Sequence, residues 1–146
     1  MNLVIRQASV ETLAAMASWR YEPPYEFYDG DEEPVNNPER YFEALVVEDG
    51  ELVGFYYFEH KEGALEYGLG MRPDLTGRGL GLEFVRTGLE FARRRFAPER
   101  IVLNVAAFND RARIVYERAG FRLTGKHVRT FSRWGDVEFL EMKEEP

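Results

Sequence analysis

Short runs of apolar or alternating residues recur along the chain and predict β-strands. The turns Glu48-Asp49-Gly50 and Lys61-Glu62-Gly63 separate three of these runs, and the first turn is typical of a β-hairpin. We therefore expect a sheet in which several neighbouring strands are antiparallel. The predicted strands cover residues 3–6, 44–48, 52–59, 64–72, 101–105, 121–131 and 137–142.

Apolar residues at helical spacing predict helices between these strands. In the longest helix Val85 and Leu89 are four residues apart and share one face. Asn109 is a typical N-cap, and Gly120 is a typical helix stop. The predicted helices cover residues 10–19, 79–96 and 109–119, and a further helical turn is expected at 37–42.

The order of these elements predicts a mixed sheet with helices, an α/β architecture in the broad (α+β) sense. It lacks the repeated βαβ units of a doubly wound nucleotide-binding domain. The 146 residues are the length of one domain, so we expect a single domain over 1–146. Residues 21–34 are rich in proline and acidic side chains, which favours a surface segment with at most short helices.

Composition excludes several other classes of protein. Hydrophobic residues make up 45% and charged residues 31% of the chain, and its 21 aromatic residues argue against disorder. No apolar run is long enough for a membrane span, and no secretory signal is visible at the N-terminus. Cysteine is absent, which excludes disulfides, thiolate metal sites and a cysteine nucleophile. We expect a cytoplasmic protein with no membrane partner and no metal.

Charge is divided unevenly along the chain. Residues 1–70 contain 4 basic and 15 acidic side chains, whereas residues 71–146 contain 15 basic and 11 acidic ones. A basic half suits an anionic ligand and an acidic half suits a cation, although a charged surface also serves solubility alone. The net charge of −7 makes duplex nucleic acid a poor candidate partner.

Three alternating glycines, Gly77, Gly79 and Gly81, lie between a predicted strand and the longest helix. They leave backbone N–H groups accessible to an anion at a helix N-terminus, so the loop is suited to hold phosphate. The alternative is a tight turn without a ligand. No Gly-Lys-Ser/Thr follows, which excludes a P-loop. The dinucleotide-binding pattern Gly-x-Gly-x-x-Gly would need a glycine at position 82, where this chain has leucine, so a dinucleotide site is not expected either.

Together with a second motif, this loop resembles the GNAT superfamily of acyl-CoA-dependent N-acyltransferases. The second motif is Leu103-Asn104-Val105, then Asn109 and Tyr116, then Gly120-Phe121. The loop itself departs from the family at Thr76, where glutamine or arginine is usual. The resemblance implies a mainly antiparallel central sheet with a splayed parallel strand pair and flanking helices. It implies transfer of an acetyl group from acetyl-CoA to a primary amine, either a small cationic amine or a protein amine.

The resemblance also implies which residues bind acetyl-CoA. The glycine loop would hold the pyrophosphate, and Asn109 would contact the pantetheine arm, unless it is only an N-cap. Gly68 and Gly70 suggest a bulge that would free backbone groups for the same arm. The implied cofactor-binding residues are Leu69, Met71, Gly77, Arg78, Gly79, Leu80, Gly81 and Asn109. The arginines Arg111 and Arg113 are further candidates for contacts with phosphate, or else ordinary surface arginines.

Tyr116 and Glu66 are the candidate catalytic residues. Tyr116 matches the family tyrosine that protonates the leaving thiolate, and its alternative role is packing on a helix face. Glu66 is the leading candidate base for the amine, because a carboxylate on a central strand is unusual unless it is paired or functional. The alternative is a solvated charge at a strand end, and His60 and His127 are other candidate bases. Direct attack by the amine in a ternary complex is the expected mechanism.

The acceptor amine is not identified by any motif. Aromatic and acidic residues alternate between Trp19 and Asp29, which suits a pocket for a cationic amine or a solvated loop with aromatic anchors. A non-catalytic acyl-CoA-binding module is the alternative function, although binding alone does not need Tyr116. Many members of the family form dimers through their C-terminal strands, so a homodimer is a further expectation.

Overall fold

A computed structural model describes residues 2–38 and 45–144 of the chain. Its strands are β1 (Val4–Gln7), β2 (Leu45–Glu48), β3 (Leu52–Lys61), β4 (Ala64–Met71), β5 (Ile101–Ala106), β6 (Phe121–Phe131) and β7 (Gly135–Glu144). Its helices are α1 (Val10–Ala17), α2 (Glu33–Asn36), α3 (Gly81–Phe96) and α4 (Asp110–Arg118), with 3₁₀ turns at Tyr25–Tyr28 and Pro73–Leu75.

The seven strands form one sheet in the order β1-β2-β3-β4-β5-β7-β6. The pairs β1–β2, β2–β3, β5–β7 and β6–β7 are antiparallel, and β4–β5 is parallel. The parallel ladder joins Leu65–Tyr67 to Ile101–Leu103, and both strands continue beyond it. This topology confirms the predicted mixed, mainly antiparallel sheet with one parallel pair and flanking helices.

The helix boundaries differ from the predictions by one or two residues, for local reasons. Helix α1 begins at a capping box of Ser9 and Thr12 and ends at Ala17, because the N–H of Trp19 turns back to the carbonyl of Met16 at 3.1 Å. Helix α3 begins at Gly81 and not at residue 79, because Gly79 has a φ of +77°, which no right-handed helix accommodates. Most of the helical turn predicted at 37–42 lies outside the described residues.

The chain divides into two compact units. The N-terminal unit consists of Met1–Tyr57 and Leu69–Thr76, and the C-terminal unit consists of Phe58–Gly68 and Gly77–Pro146. In the N-terminal unit a core of buried residues is lined by Met16 and Leu52. That core is formed by Ala8, Leu13 and Val46. The prediction of a single domain over 1–146 stays a prediction.

The C-terminal unit has an aromatic core between its strands and α3. The ring of Phe58 stacks against Tyr67 at 5.1 Å and against Phe91 at 5.7 Å between centroids. The Tyr67 hydroxyl donates to the carbonyl of Val85 at 3.0 Å, which ties β4 to α3. Since both side chains are almost fully buried, with Tyr67 and Val85 each 1% exposed, this contact fixes α3 on the sheet.

Candidate active site

The glycine loop has a backbone conformation that requires glycine at two positions. Gly77 and Gly79 have φ values of +74° and +77°, in the left-handed region where other residues are strained. Ahead of them, the Thr76 hydroxyl donates to the carbonyl of Pro73 at 2.7 Å and closes the 3₁₀ turn. Thr76 therefore has a structural role where the family usually has glutamine or arginine.

Gly81 is the first residue of α3, and it lies next to α4. A Cβ on Gly81 would lie 3.4 Å from Val115 of α4, in van der Waals contact with that side chain. The helix that begins here has 16 residues, so its N-terminal N–H groups carry a full helix dipole. Leu80 at the N-cap supplies no side-chain acceptor for them. This end of α3 is therefore suited to an anion.

Two arginines of α4 differ in their relation to this loop. A terminal nitrogen of Arg111 is 3.4 Å from the position of a Cβ on Gly77, so its positive charge lies beside the loop. Arg113 instead bonds Glu117 at 2.7 Å and Asp110 at 3.5 Å. The hydrogen bond to Glu117 is the main cause of a raised pKa of Arg113. Because it lies beside Gly77, Arg111 is close to the place where the loop would hold a phosphate.

Asn109 and Tyr116 lie two helical turns apart on α4. The Oδ1 atom of Asn109 accepts a hydrogen bond from the N–H of Ala112 at 3.1 Å, so Asn109 is the N-cap of the helix. Tyr116 is buried, with 8% of its surface exposed, and its ring meets Phe121 edge to face at 6.5 Å. That contact fixes the ring through packing and leaves its chemical role as a prediction.

Glu66 on β4 is held by two hydrogen-bond donors from neighbouring strands. The Nζ of Lys61 on β3 lies 3.2 Å from Glu66 Oε2, and the Nδ2 of Asn104 on β5 lies 2.7 Å from the same atom. The Glu66 side chain is 16% exposed, whereas Lys61 is half exposed. Glu66 is thus a partly buried, paired carboxylate and not a solvated charge at a strand end.

Asn104 is a residue of this site that the sequence analysis quoted only as part of a motif. Its Oδ1 is buried and has no hydrogen-bond partner among the described residues. A polar residue in the apolar run Ile-Val-Leu-Asn-Val-Ala is a signal that could have marked it. Its contact with Glu66 depends on the β4–β5 register, which places Glu66 beside Val102.

The end of β4 carries two predicted cofactor contacts, Leu69 and Met71, in the N-terminal unit. The Met71 carbonyl accepts a hydrogen bond from the hydroxyl of Tyr21 at 2.5 Å, so this backbone group already has a protein partner. Gly70 has a packing reason besides the suggested bulge. A Cβ at this position would overlap the ring of Phe55.

The segment between Trp19 and Gly30 is closed by hydrogen bonds of its own. The N–H of Gly30 donates to the carbonyl of Trp19 at 2.9 Å, and the N–H of Tyr21 donates to Asp29 Oδ1 at 2.7 Å. A terminal nitrogen of Arg20 bonds the carbonyls of Ala17, Trp19 and Gly30 at 2.8, 2.8 and 3.2 Å. These contacts give the acidic and aromatic segment a defined shape.

The two histidines have packing contacts in the C-terminal unit. His60 meets the ring of Phe96 edge to face at 5.2 Å. His127 stacks on Phe139 at 5.7 Å and accepts a hydrogen bond from Arg129 at 3.1 Å. Neither contact joins a histidine to Glu66, so Glu66 stays the leading candidate base.

The fold is similar to those of known acetyltransferase structures. The shared architecture includes the mixed sheet and its flanking helices. An acetyltransferase (GNAT family) from Bacillus anthracis superposes with a TM-score of 0.79 over 98% of this chain and 94% of that one, at 17% identity. A chimera of the spermidine N-acetyltransferase SpeG from Vibrio cholerae and hSSAT gives 0.76 over 99% and 95%, at 21% identity. These likenesses support the fold.

Sequence comparison identifies the family. The profile of the Acetyltransferase (GNAT) family matches residues 9–121, more than three quarters of the chain. The chain therefore belongs to the GNAT acetyltransferase family, as its two motifs indicated.

Two curated relatives match parts of the chain. A mycothiol acetyltransferase from Streptomyces coelicolor is 41% identical over 92 residues, which cover 61% of this chain and 29% of that protein. A 5-NmdU N-acetyltransferase of Pseudomonas phage PaMx11 is 35% identical over 87 residues, 58% of this chain and 59% of that one. The chain thus matches under a third of the length of the first relative.

Two further properties concern the whole described part of the chain. Among its residues, no helix has the length and apolar character needed to cross a membrane. Within the same residues, no group of three or more histidine, aspartate or glutamate side chains is placed to hold a metal ion.

Proposed function

We propose that this protein is an acetyl-CoA-dependent N-acetyltransferase that acts on a primary amine by direct attack. The observation that carries the proposal is the glycine loop, whose two left-handed glycines and helix N-terminus suit the pyrophosphate of acetyl-CoA. The exposed backbone of Gly77–Gly79 and the nearby charge of Arg111 fit that anion. The predicted cofactor-binding residues of the C-terminal unit carry this proposal, and they are Gly77, Arg78, Gly79, Leu80, Gly81 and Asn109. Leu69 and Met71 of the N-terminal unit stay predictions from the resemblance.

In the proposed reaction, Glu66 accepts a proton from the ammonium form of the acceptor. A lysine-like amine has a pKa of about 10.4, so forming the free base at pH 7 costs about 4.6 kcal/mol, and a positioned carboxylate gives the proton an acceptor as the amine attacks. The amine nitrogen forms a bond to the acetyl carbon and the bond from that carbon to sulfur breaks. Tyr116 donates its proton to the leaving thiolate and regains one from the acetylated nitrogen, which carries one proton more than the amide keeps. Glu66 then passes its proton to solvent, so that one proton is released per turnover.

We infer the class of acceptor from the charge of the chain. The N-terminal half of the chain has an excess of 11 acidic side chains, with 15 acidic against 4 basic, which favours approach of a cation. Similar proteins are named for spermidine and for 5-NmdU, which makes these two compounds the first acceptors to try.

The test is release of CoA from acetyl-CoA, measured with a thiol reagent across a panel of amines. The panel contains spermidine, 5-NmdU, aminoglycosides, amino acids, and peptides with free α-amino or lysine amines. Because the chain has no cysteine, the reagent reports on CoA alone. Turnover on one class supports the proposal, whereas acetyl-CoA binding without turnover on any amine would favour a non-catalytic acyl-CoA-binding module.

Tyr116→Phe tests the proposed proton donor. We expect kcat to fall about 100-fold while acetyl-CoA affinity stays the same, because a general acid contributes roughly 10²–10⁴-fold. Tyr67→Phe is the matched control, since Tyr67 is another buried tyrosine of the same unit whose hydroxyl bonds a helix carbonyl. That variant is expected to lose stability and keep its kcat. An unchanged kcat in Tyr116→Phe would contradict the role of Tyr116.

A further inference from the structure

Asn104 has a hydrogen-bonding arrangement that packing alone does not explain. Its Nδ2 donates to Glu66 Oε2 at 2.7 Å, the shorter of the two contacts to that oxygen. Its Oδ1, on the other branch of the same amide, is buried without a partner among the described residues. An unsatisfied buried acceptor costs free energy, and an apolar side chain at this position would avoid that cost.

The geometry points to a role for Asn104 that rests on the proposed function: we propose that Asn104 is the positioning residue of the base Glu66. The donor from Asn104 and the charge of Lys61 both engage Oε2. Among residues 2–38 and 45–144, no donor forms a hydrogen bond with Oε1, which leaves that oxygen to take the proton of the amine. Glu66 is thereby held through Oε2, and Oε1 is the oxygen that receives the proton.

The two donors contribute differently. Lys61 is half exposed, and its flexible ammonium group makes a contact of 3.2 Å, so it restrains Glu66 weakly. Asn104 lies on the central strand β5, between β4 and β7, and its short side chain has few rotamers. The position of the carboxylate therefore depends mainly on Asn104.

The experiment is a double-mutant cycle on the full chain with Glu66→Gln, Asn104→Leu and the double variant, assayed on the best amine of the panel. We expect kcat to fall about 100-fold in Glu66→Gln and about 10- to 100-fold in Asn104→Leu. If Asn104 acts through Glu66, the double variant matches Glu66→Gln alone. The KM for acetyl-CoA is expected to stay within about twofold throughout.

Thermal unfolding separates positioning from a structural role. Because leucine removes the unsatisfied oxygen, the Tm of Asn104→Leu is expected to stay within about 3 °C of the wild type. Asn104→Asp is the isosteric variant that loses the donor and places a second carboxylate against Glu66, and its kcat is expected to fall at least as far as that of Asn104→Leu. Activity close to wild type in Asn104→Asp would overturn the proposal.

The matched control is Asn37→Leu. Asn37 donates to Glu33 Oε1 at 3.2 Å, the same amide-to-carboxylate contact in the N-terminal unit, and its loss is expected to leave kcat within about twofold. Additive losses in the cycle, or an unchanged kcat in Asn104→Leu when Glu66→Gln is inactive, would overturn the role of Asn104 alone. Absence of wild-type turnover on every amine would overturn the proposed function and this role with it.

Discussion

The glycine loop of residues 76–81 and the segment of residues 19–30 are both irregular, yet opposite means fix them. In the loop the conformation resides in the backbone, through the positive φ angles of Gly77 and Gly79. In the segment it resides in side chains, through the contacts that Arg20 and Asp29 make across the closure. The conformation of the loop depends on residues that are close together in the sequence. The conformation of the segment depends on side chains whose partners come close only after folding.

Among the variants that separate these two regions, the largest effect is expected from one in the loop. In Gly79→Ala nothing lies within 4 Å of the new Cβ, so the left-handed φ is the sole source of strain. That strain is about 1–2 kcal/mol, which corresponds to roughly a 5- to 30-fold rise in the Kd for acetyl-CoA if binding must restore the conformation. Isothermal titration calorimetry gives the Kd.

Gly50→Ala is the matched control for the loop. Gly50 has a φ of +75° in the turn between β2 and β3, and a Cβ there also meets nothing within 4 Å. The strain is therefore the same in a turn that we assign no ligand. Equal changes of the Kd for acetyl-CoA in both variants would show that backbone strain anywhere in the chain weakens binding, and would contradict a direct contact of the glycine loop with acetyl-CoA.

An intermediate effect is expected from removing the negative charge of the segment. In the combined variant Glu22→Gln, Glu26→Gln and Asp29→Asn, we expect the KM for a cationic amine to rise about 3- to 10-fold, since three charges at about 0.2–0.5 kcal/mol each contribute roughly 0.6–1.5 kcal/mol together. Asparagine at position 29 keeps the acceptor for the N–H of Tyr21. Steady-state kinetics at fixed ionic strength measure the change.

The control for this variant removes three exposed acidic residues elsewhere, Glu62→Gln, Glu99→Gln and Glu138→Gln. It changes the net charge equally, so any shared rise in KM reflects the general field of the protein. An amine KM that is unchanged in the first variant would eliminate the segment as the site of cation attraction.

The smallest effect is expected from Tyr21→Phe. The hydroxyl of Tyr21 donates to the Met71 carbonyl at 2.5 Å, and its loss is expected to lower the free energy of unfolding by about 1 kcal/mol. Denaturant unfolding measures this value. The amine KM should change less than in the charge variant. A larger change in KM with unchanged stability would show that Tyr21 serves the acceptor and not the closure of the segment.

The sequence was sufficient for features that are local. Strand β6 was predicted with its observed bounds, and the cap of α4 at Asn109 follows from residue type and position. The start of α3 was placed two residues early because the pattern of apolar residues does not reveal the φ of Gly79.

Contacts between strands could not be predicted in the same way. Asn104 and Glu66 are 38 positions apart, and they meet only because the register of β4 and β5 brings them to the same face. The alternating pattern fixes which face each residue takes, but not how far one strand slides along the other. The pairing of Lys61 with Glu66 joins consecutive strands, so residue spacing alone makes that contact easier to foresee.

The ring of Phe55 lies where a side chain at position 70 would be. Each of these two positions therefore limits what mutation can do at the other. A larger residue at position 70 requires a smaller one at position 55, and a smaller residue at 55 alone leaves a cavity over the glycine. Because β3 and β4 are neighbours in the sheet, this constraint couples the choice of residue on one strand to the choice on the other.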